Sequence, residues 1–166
     1  KTDNSTGSTI GCGGIRVYGK DHKIINNYFH GLTGSKWDAA ITITNGDANN
    51  TSYSNSDHNL PENLIVAFNT FNNNYSNIEI GFTNNGSYTK APINCLIANN
   101  IIIDSTNAMV YAYSPTSLAG VNFENNIMYP TGTSSIGITY NPAQIINTNP
   151  LLMQPDCGAT GSLPCN

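Results

Sequence analysis

Short segments in which apolar and polar residues alternate recur along most of the chain, and they come in pairs. GIRVYG is followed by HKIINNYF, AITITNG by ENLIVAFNTF, NIEIGF by INCLIANNII and AMVYAY by GVNFENNIM, and SIGITY closes the series. A period of two predicts β-strands, because successive side chains of a strand point to opposite faces. No segment carries the periodicity of a helix of two or more turns.

Paired strands that repeat in this way predict an all-β fold, a right-handed parallel β-helix of about five coils. In such a solenoid every other side chain of a strand enters the core. The alternative is a β-sandwich, whose strands usually return through tight hairpins. The Asn-Gly pairs at 45–46 and 85–86 open long loops instead. The side chains predicted to stack inside the solenoid are Ile15, Val17, Ile41, Ile43, Ile78 and Ile80.

An asparagine followed by one residue and an apolar side chain recurs in each second segment. The four positions are Asn27, Asn69, Asn100 and Asn126. A tight corner leaves peptide groups that need hydrogen-bond partners, and a stacked amide can supply them. We therefore predict that these asparagines form a structural ladder and have no direct role in chemistry.

The chain has few charged residues, which limits the classes of molecule that it is expected to bind. Charged residues make up 10% of the chain and the formal net charge is -4. Binding to nucleic acid needs clustered Lys and Arg, so nucleic acid is not an expected partner. No run of 18 apolar residues is present, so no membrane-spanning segment is expected either.

The chain is expected to divide into a polar loop at a cut site (1–12), solenoid coils (13–145) and a C-terminal cap (146–166). It opens on Lys1 without an apolar signal segment. The first twelve residues are too polar and too short to cover a core, and bare solenoid ends expose sheet edges. We therefore expect further coils before residue 13, in a removed N-terminal part or in a separate chain that stays attached.

Two cysteines near the C-terminus indicate the cellular compartment in which the protein is expected to lie. Cys157 and Cys165 flank a short Gly-rich loop, and we predict a disulfide there, with free thiols as the alternative. Zinc is disfavoured because no Cys-x-x-Cys pair or His partner accompanies them. A disulfide implies an exported protein, so we expect a secreted or periplasmic location.

The only arginine of the chain, Arg16, alternates with the inward residues of GIRVYG and should therefore face outward. Aligning the coils places Thr42 next to it, followed by Glu79. A guanidinium can bind a carboxylate through two parallel hydrogen bonds, and Tyr18 offers a ring face and a hydroxyl. This pair suits an anionic sugar chain. The alternative is an Arg that pairs with Glu79 or Asp21 in a solvated ladder.

Other candidates are less well defined by the sequence. Trp37 lies in the loop after the first coil and is either a sugar platform or a cover for the edge of the core. His30 lies at a corner, directly after an apolar residue. The scattered acidic residues define neither a calcium cluster nor a glycosidase pair, and no nucleophile elbow or phosphate loop is present.

The segments GGIRVYGKDHKIINNYFHGLTG, AAITITNG, ENLIVAFNTF, NIEIG and LIANNII occur in an order that resembles polysaccharide lyase family 6. That family contains alginate lyases and chondroitinase B. The resemblance implies β-elimination on a uronate-containing polysaccharide. In the family a Lys removes the C5 proton, an Arg helps to protonate the leaving O4, and a calcium ion held by an Asn and two Glu neutralises the uronate carboxylate.

The resemblance places those catalytic groups on coils that precede the Gly-Gly-Ile-Arg segment. It therefore implies that this chain has no catalytic residue and no metal ligand, and that calcium is bound by the N-terminal part. Arg16 matches the Arg of the family's segment that lines the substrate groove. The residues expected to bind substrate are Arg16, Tyr18, Trp37 and His30.

These observations lead to one expected function and one alternative. The expected function is that of the C-terminal half of a lyase acting on an anionic polysaccharide, alginate in particular, with the N-terminal fragment of the same lyase as its partner. The alternative is a non-catalytic carbohydrate-binding or adhesin-type β-helix. Pectate lyases and hydrolases built on a β-helix would need an Asp cluster or pair on outward strands, which this sequence lacks.

Overall fold

The computed structural model describes residues 13–33, 39–47 and 58–152, whose regular secondary structure is β-strand apart from one short 3-10 helix, Pro115–Leu118. The predictions for Trp37, for the Cys157–Cys165 pair and for the loop 1–12 fall outside these residues, as does most of the predicted cap. The strands are β1 (Ile15–Val17), β2 (Lys23–Ile25), β3 (Tyr28–His30), β4 (Ala39–Thr44), β5 (Gly46–Asp47), β6 (Ile65–Ala67), β7 (Thr70–Asn74), β8 (Ser76–Phe82), β9 (Tyr88–Lys90), β10 (Cys95–Ala98), β11 (Ile101–Ser105), β12 (Val110–Ala112), β13 (Val121–Glu124), β14 (Asn126–Tyr129) and β15 (Ile145–Ile146).

Three parallel sheets contain most of these strands. Sheet 1 has the order β1-β4-β8-β12, sheet 2 the order β2-β6-β10-β13, and sheet 3 the order β3-β7-β11-β14-β15. The chain passes through sheets 1, 2 and 3 in that order four times, and β15 adds a fifth strand to sheet 3. The predicted all-β class is confirmed. Within these sheets the described strands pair in parallel, whereas sandwiches use antiparallel sheets.

The register of sheet 1 is the one that the alternation predicts. Arg16 pairs with Thr42, and Thr42 pairs with Glu79. Ile41 and Ile78 are fully buried. Their neighbour in the same row, Ile15, retains 37% exposure, because β1 is the end strand of its sheet. The register of Ile15 is therefore as expected, and its exposure agrees with the bare sheet edge that the sequence analysis expects before residue 13.

One apolar core lies between the three sheets. Its fully buried side chains come from every sheet, including Ile43 and Ile80 of sheet 1, Ile97 of sheet 2, and Phe71 and Met128 of sheet 3. A core that all the sheets share means that each pass of the chain contributes to the same apolar column.

The recurring asparagines form the predicted ladder at the corner between sheets 2 and 3. The backbone N–H of Asn27 donates to Asn69 Oδ1 at 2.9 Å, that of Asn69 to Asn100 Oδ1 at 2.9 Å, and that of Asn100 to Asn126 Oδ1 at 3.0 Å. The amides of Asn69, Asn100 and Asn126 also reach the pass before them, as Asn100 Nδ2 does in donating to Val66 O at 2.9 Å. Asn69, Asn100 and Asn126 are almost fully buried.

The residue before each ladder asparagine has a left-handed backbone. Asn26, Asn99 and Asn125 have φ angles of 58°, 53° and 52°. Asparagine tolerates this region, whereas most side chains do so at a cost. The second pass departs from the pattern, because Phe68 holds this position with a φ of 56° and a side chain that is 60% exposed.

Two features differ from the sequence analysis. Residues 135–140, the SIGITY segment, form no strand, although the backbone N–H of Val110 donates to Ile136 O at 3.0 Å and Ile136 is buried. In addition, β5 and β9 form a small antiparallel sheet, which the repeat pattern did not predict because both strands lie in its irregular connections.

We expect Asn100→Ala to lower the free energy of unfolding by roughly 3 kcal/mol, because it leaves buried partners above and below without a hydrogen bond. Asn27→Ala is the matched control: Asn27 is exposed, so roughly 1 kcal/mol or less is expected there. Urea unfolding measures both changes. Equal losses at the two positions would contradict a ladder whose strength depends on burial.

We expect Phe68→Asn to raise the free energy of unfolding by about 1 kcal/mol, because asparagine adopts the left-handed backbone with less strain. Thermal unfolding should show a melting temperature a few degrees higher. Phe68→Ala removes the same exposed ring but keeps a residue that is strained at this φ. If the alanine variant were stabilised as much as the asparagine variant, the backbone angle would not be the cause.

Candidate functional site

Arg16 lies at the centre of β1 on the outer face of sheet 1, and its side chain is exposed. Its guanidinium carbon is 5.1 Å from the centroid of the Phe82 ring. A cation over an aromatic face at this distance is attracted by the ring quadrupole. The contact restrains the arginine near the sheet surface, which favours a defined direction for its hydrogen-bond donors.

Phe82 reaches this face because of an irregularity in β8. The register between β4 and β8 shifts after Ile43, so that Thr44 pairs with Phe82 and Gly81 is passed over. Gly81 has a φ of +86°, and a Cβ at this position would overlap the side chain of Ser117 in the 3-10 helix. Bulges of this kind re-aim side chains, and here the bulge brings Phe82 beneath Arg16.

Two tyrosines extend the aromatic surface. The rings of Phe82 and Tyr113 lie 5.5 Å apart at 83°, and those of Tyr111 and Tyr113 lie 5.0 Å apart at 82°, both edge to face. The Tyr113 hydroxyl donates to Glu79 Oε2 at 3.3 Å, and Glu79 is only 8% exposed. Tyr111 and Tyr113 remain 39% and 40% exposed.

We call this set the outer-face cluster; it consists of Arg16, Glu79, Phe82, Tyr111 and Tyr113. It combines a cation, exposed aromatic rings and a buried carboxylate. Such a surface can bind a ligand that carries both a negative charge and a ring with apolar C–H faces.

Tyr18 lies close to Arg16 but has different ring contacts. Its ring is 48% exposed and 5.3 Å from the ring of His58. His58 stacks on Tyr88, whose hydroxyl is 2.8 Å from His58 Nδ1. Arg16 and Tyr18 both line an open depression of ≈ 390 Å³, which also includes Ile24. The structure therefore brings together two of the predicted substrate-binding residues.

His30, the third predicted residue, lies elsewhere. It is in β3 on sheet 3, where its ring stacks on Tyr28 with centroids 5.7 Å apart. Its Nδ1 atom is buried without a hydrogen-bond partner. The structure thus places His30 on a different sheet from Arg16 and Tyr18.

The aromatic members of the outer-face cluster were not predicted. Tyr111 alternates with the inward Val110 and Ala112, so the same rule that turned Arg16 outward could have found it. The position of the Phe82 side chain depends on the bulge at Gly81. In the sequence the only sign of that bulge is a glycine, and many regular strands contain a glycine too.

Acidic, histidine and cysteine side chains are scattered over the described residues. Across 13–33, 39–47 and 58–152, no group of three or more His, Cys, Asp or Glu side chains could hold a metal ion. The same part has no helix that is long and apolar enough to cross a membrane.

The described residues include one cysteine, Cys95, which is a buried free thiol. Burial raises its pKa above the ordinary value, and hydrogen bonds with the backbone of Leu64 and Ile93 oppose that shift. A thiol that stays protonated is a poor nucleophile, so Cys95 belongs to the core and not to a reactive site.

Comparison with protein families identifies the chain. The family model of chondroitinase B matches residues 3–149. The chain belongs to the chondroitinase B family. This confirms the resemblance to polysaccharide lyase family 6, and membership of the chondroitinase B family indicates a polysaccharide lyase. No curated protein matches the chain. The match includes all three sheets and the whole outer-face cluster.

We expect Gly81→Ala to lower the melting temperature more than Gly86→Ala in this chondroitinase B family domain. Both glycines have nearly the same positive φ, +86° and +87°, but a Cβ at Gly86 meets nothing within 4 Å. Each substitution should cost about 1 kcal/mol in backbone strain, and the overlap with Ser117 should add about 1–3 kcal/mol. Thermal unfolding of the two variants tests this, and equal losses would show that the approach of the 3-10 helix does not require glycine.

Proposed function

We propose that this chain is the C-terminal half of a polysaccharide lyase that cleaves a uronate-containing polysaccharide, alginate, by β-elimination. One observation carries the proposal: the only arginine of a chondroitinase B family domain is exposed on the outer face of sheet 1, among aromatic rings. A cation beside aromatic faces matches the two chemical features of a uronate, its carboxylate and its pyranose ring.

In this proposal Arg16 lies in the substrate groove and pairs with a uronate carboxylate of the polymer. During β-elimination the C5 proton is removed, a double bond forms between C4 and C5, the C4–O4 bond breaks and O4 leaves with a proton. Arg16 holds the polymer in place for this step and moves no proton. Tyr18, which is 48% exposed and follows Arg16 closely in the chain, is proposed to contact the sugar.

The groups that move protons are proposed to lie on the N-terminal part, with calcium. No step proposed for the residues of this chain passes through that ion. The roles suggested by the sequence for His30 and Trp37 stay predictions.

We further propose that the three sheets are the faces of a right-handed parallel β-helix and that an N-terminal part of the same lyase continues it. The repeated passage through sheets 1, 2 and 3 supports the helix. The strands β1, β2 and β3 are each the end strand of their sheet. The open depression at β1 and β2 includes the apolar Ile15, Val17 and Ile24, which a further coil would cover. A secreted or periplasmic location is proposed, because the polymer is extracellular.

A second candidate is a non-catalytic carbohydrate-binding or adhesin-type module. The outer-face cluster favours it as well, since exposed tyrosines and an arginine suffice to hold a sugar chain. The two candidates differ in whether the protein forms an unsaturated product.

The test is an ultraviolet assay for that unsaturated product on alginate and on dermatan sulfate, using the protein with its N-terminal part. We expect Arg16→Ala to lower kcat/KM roughly 10–100-fold, because a charge-assisted hydrogen-bond pair is lost. Arg16→Lys keeps the charge without the paired geometry and should recover only part of the activity. Lys90→Ala removes one positive charge from β9 and should have little effect.

Two outcomes would contradict the proposal. If neither polymer gives unsaturated product, the protein is not a lyase of this class. If product forms and Arg16→Ala has the kinetics of the unsubstituted protein, Arg16 is not in the substrate groove. Melting temperatures of all variants exclude unfolding as the cause of a loss.

A further inference from the structure

The sequence contains two Asn-Gly pairs, and the structure places them in opposite surroundings. Asn45 and Gly46 connect β4 with β5, whereas Asn85 and Gly86 lie in the turn between β8 and β9. The first pair is buried and the second is exposed. Neither pair has a part in the proposed function, so a difference in their chemical stability would report on the fold around each of them.

An asparagine that precedes a glycine can react without an enzyme. The backbone nitrogen of the glycine loses its proton and bonds to Cγ of the asparagine side chain, while the bond from Cγ to Nδ2 breaks and Nδ2 leaves as ammonia with that proton. A cyclic succinimide remains. Water then opens the ring at either carbonyl and leaves aspartate or isoaspartate. Glycine favours ring closure because it has no Cβ to hinder rotation of the peptide unit.

The exposed pair meets the conditions for ring closure. The hydrogen bond across its turn joins the backbone N–H of Ser87 to Asn84 O at 3.2 Å and does not use the nitrogen of Gly86. A Cβ built on Gly86 would meet nothing within 4 Å, so the space around the pair is open. The peptide unit of Gly86 can therefore rotate towards the Asn85 side chain with no neighbouring group in its way.

The buried pair is held by its neighbours. Asn45 Nδ2 donates to Tyr88 O at 3.4 Å, and the backbone N–H of Asn45 donates to Phe82 O at 3.0 Å. A Cβ built on Gly46 would overlap Leu60, which shows how closely the chain is enclosed there. The rotation that ring closure needs thus requires local opening of the fold, and the reaction proceeds only from the small open population.

We propose that Asn85 is a site of spontaneous deamidation and that the fold protects Asn45 from the same reaction. The only reagent is water. Both products place a new carboxylate in the turn between β8 and β9, and isoaspartate also adds a carbon atom to the main chain of that turn. This inference goes beyond the proposed function and does not rest on it.

The test is peptide mapping by mass spectrometry after the purified protein has been incubated at mildly alkaline pH in heavy-oxygen water, which labels the new carboxylate. We expect Asn85 to react roughly tenfold faster than Asn45, or more, because only Asn85 reacts without local opening. Asn84 is an internal control, since it is exposed but precedes a residue other than glycine, and it should react roughly tenfold more slowly than Asn85. Gly86→Ala should slow the reaction of Asn85 by a similar factor, because the fold has room for the added Cβ but ring closure is hindered by it.

Incubation in urea separates the effect of the fold from that of the sequence. In the unfolded chain Asn45 and Asn85 should react at similar rates, because both precede glycine. Equal rates at these two positions in the folded protein would overturn the proposal, as would an Asn85 that reacts no faster than Asn84. An Asn45 that stays unreactive in urea would also overturn it, since burial would then not be the cause of its protection.

Discussion

Peptide groups at the corners between sheets must find hydrogen-bond partners inside the stack, and the asparagine amides provide them. The Asn100 amide, for example, accepts from the backbone N–H of Asn69 in the previous pass, and its Nδ2 donates both to Val66 O of that pass and to Asn126 Oδ1 of the next one. These hydrogen bonds require the strands of successive passes to keep one register, since a shifted strand would break the bonds of each asparagine in the ladder. The rows of side chains on the outer face of sheet 1 depend on that register, and so does the position of Arg16.

The alternation of the sequence was sufficient to predict the strands, their inward residues and the corner asparagines, because these follow from a period of two and from backbone hydrogen bonding. The exposure of Ile15 agrees with the bare sheet edge expected at β1. In contrast, the strand predicted at 135–140 does not form. Its backbone does approach β12, but Gly137, with a φ of +89°, departs from extended geometry within the segment.

The candidate site was predictable only where it follows the regular register. Thr42 and Glu79 were correctly aligned with Arg16 by counting residues. Phe82 was not found, because the bulge at Gly81 depends on how closely the 3-10 helix approaches. His30 was grouped with Arg16 from residue type alone, and residue type does not reveal that the two lie on different sheets.

The even spacing of strands in sheet 1 sets the backbone positions along each outward row at fixed steps of one strand spacing. Duplicating one whole pass between β4 and β8 would move Tyr111 away from Arg16 by about 4.8 Å and leave every inward side chain facing the core. Losing one pass would bring them closer by the same step. Duplication or loss of whole passes could therefore lengthen or shorten an outward row without changing the contacts within any pass.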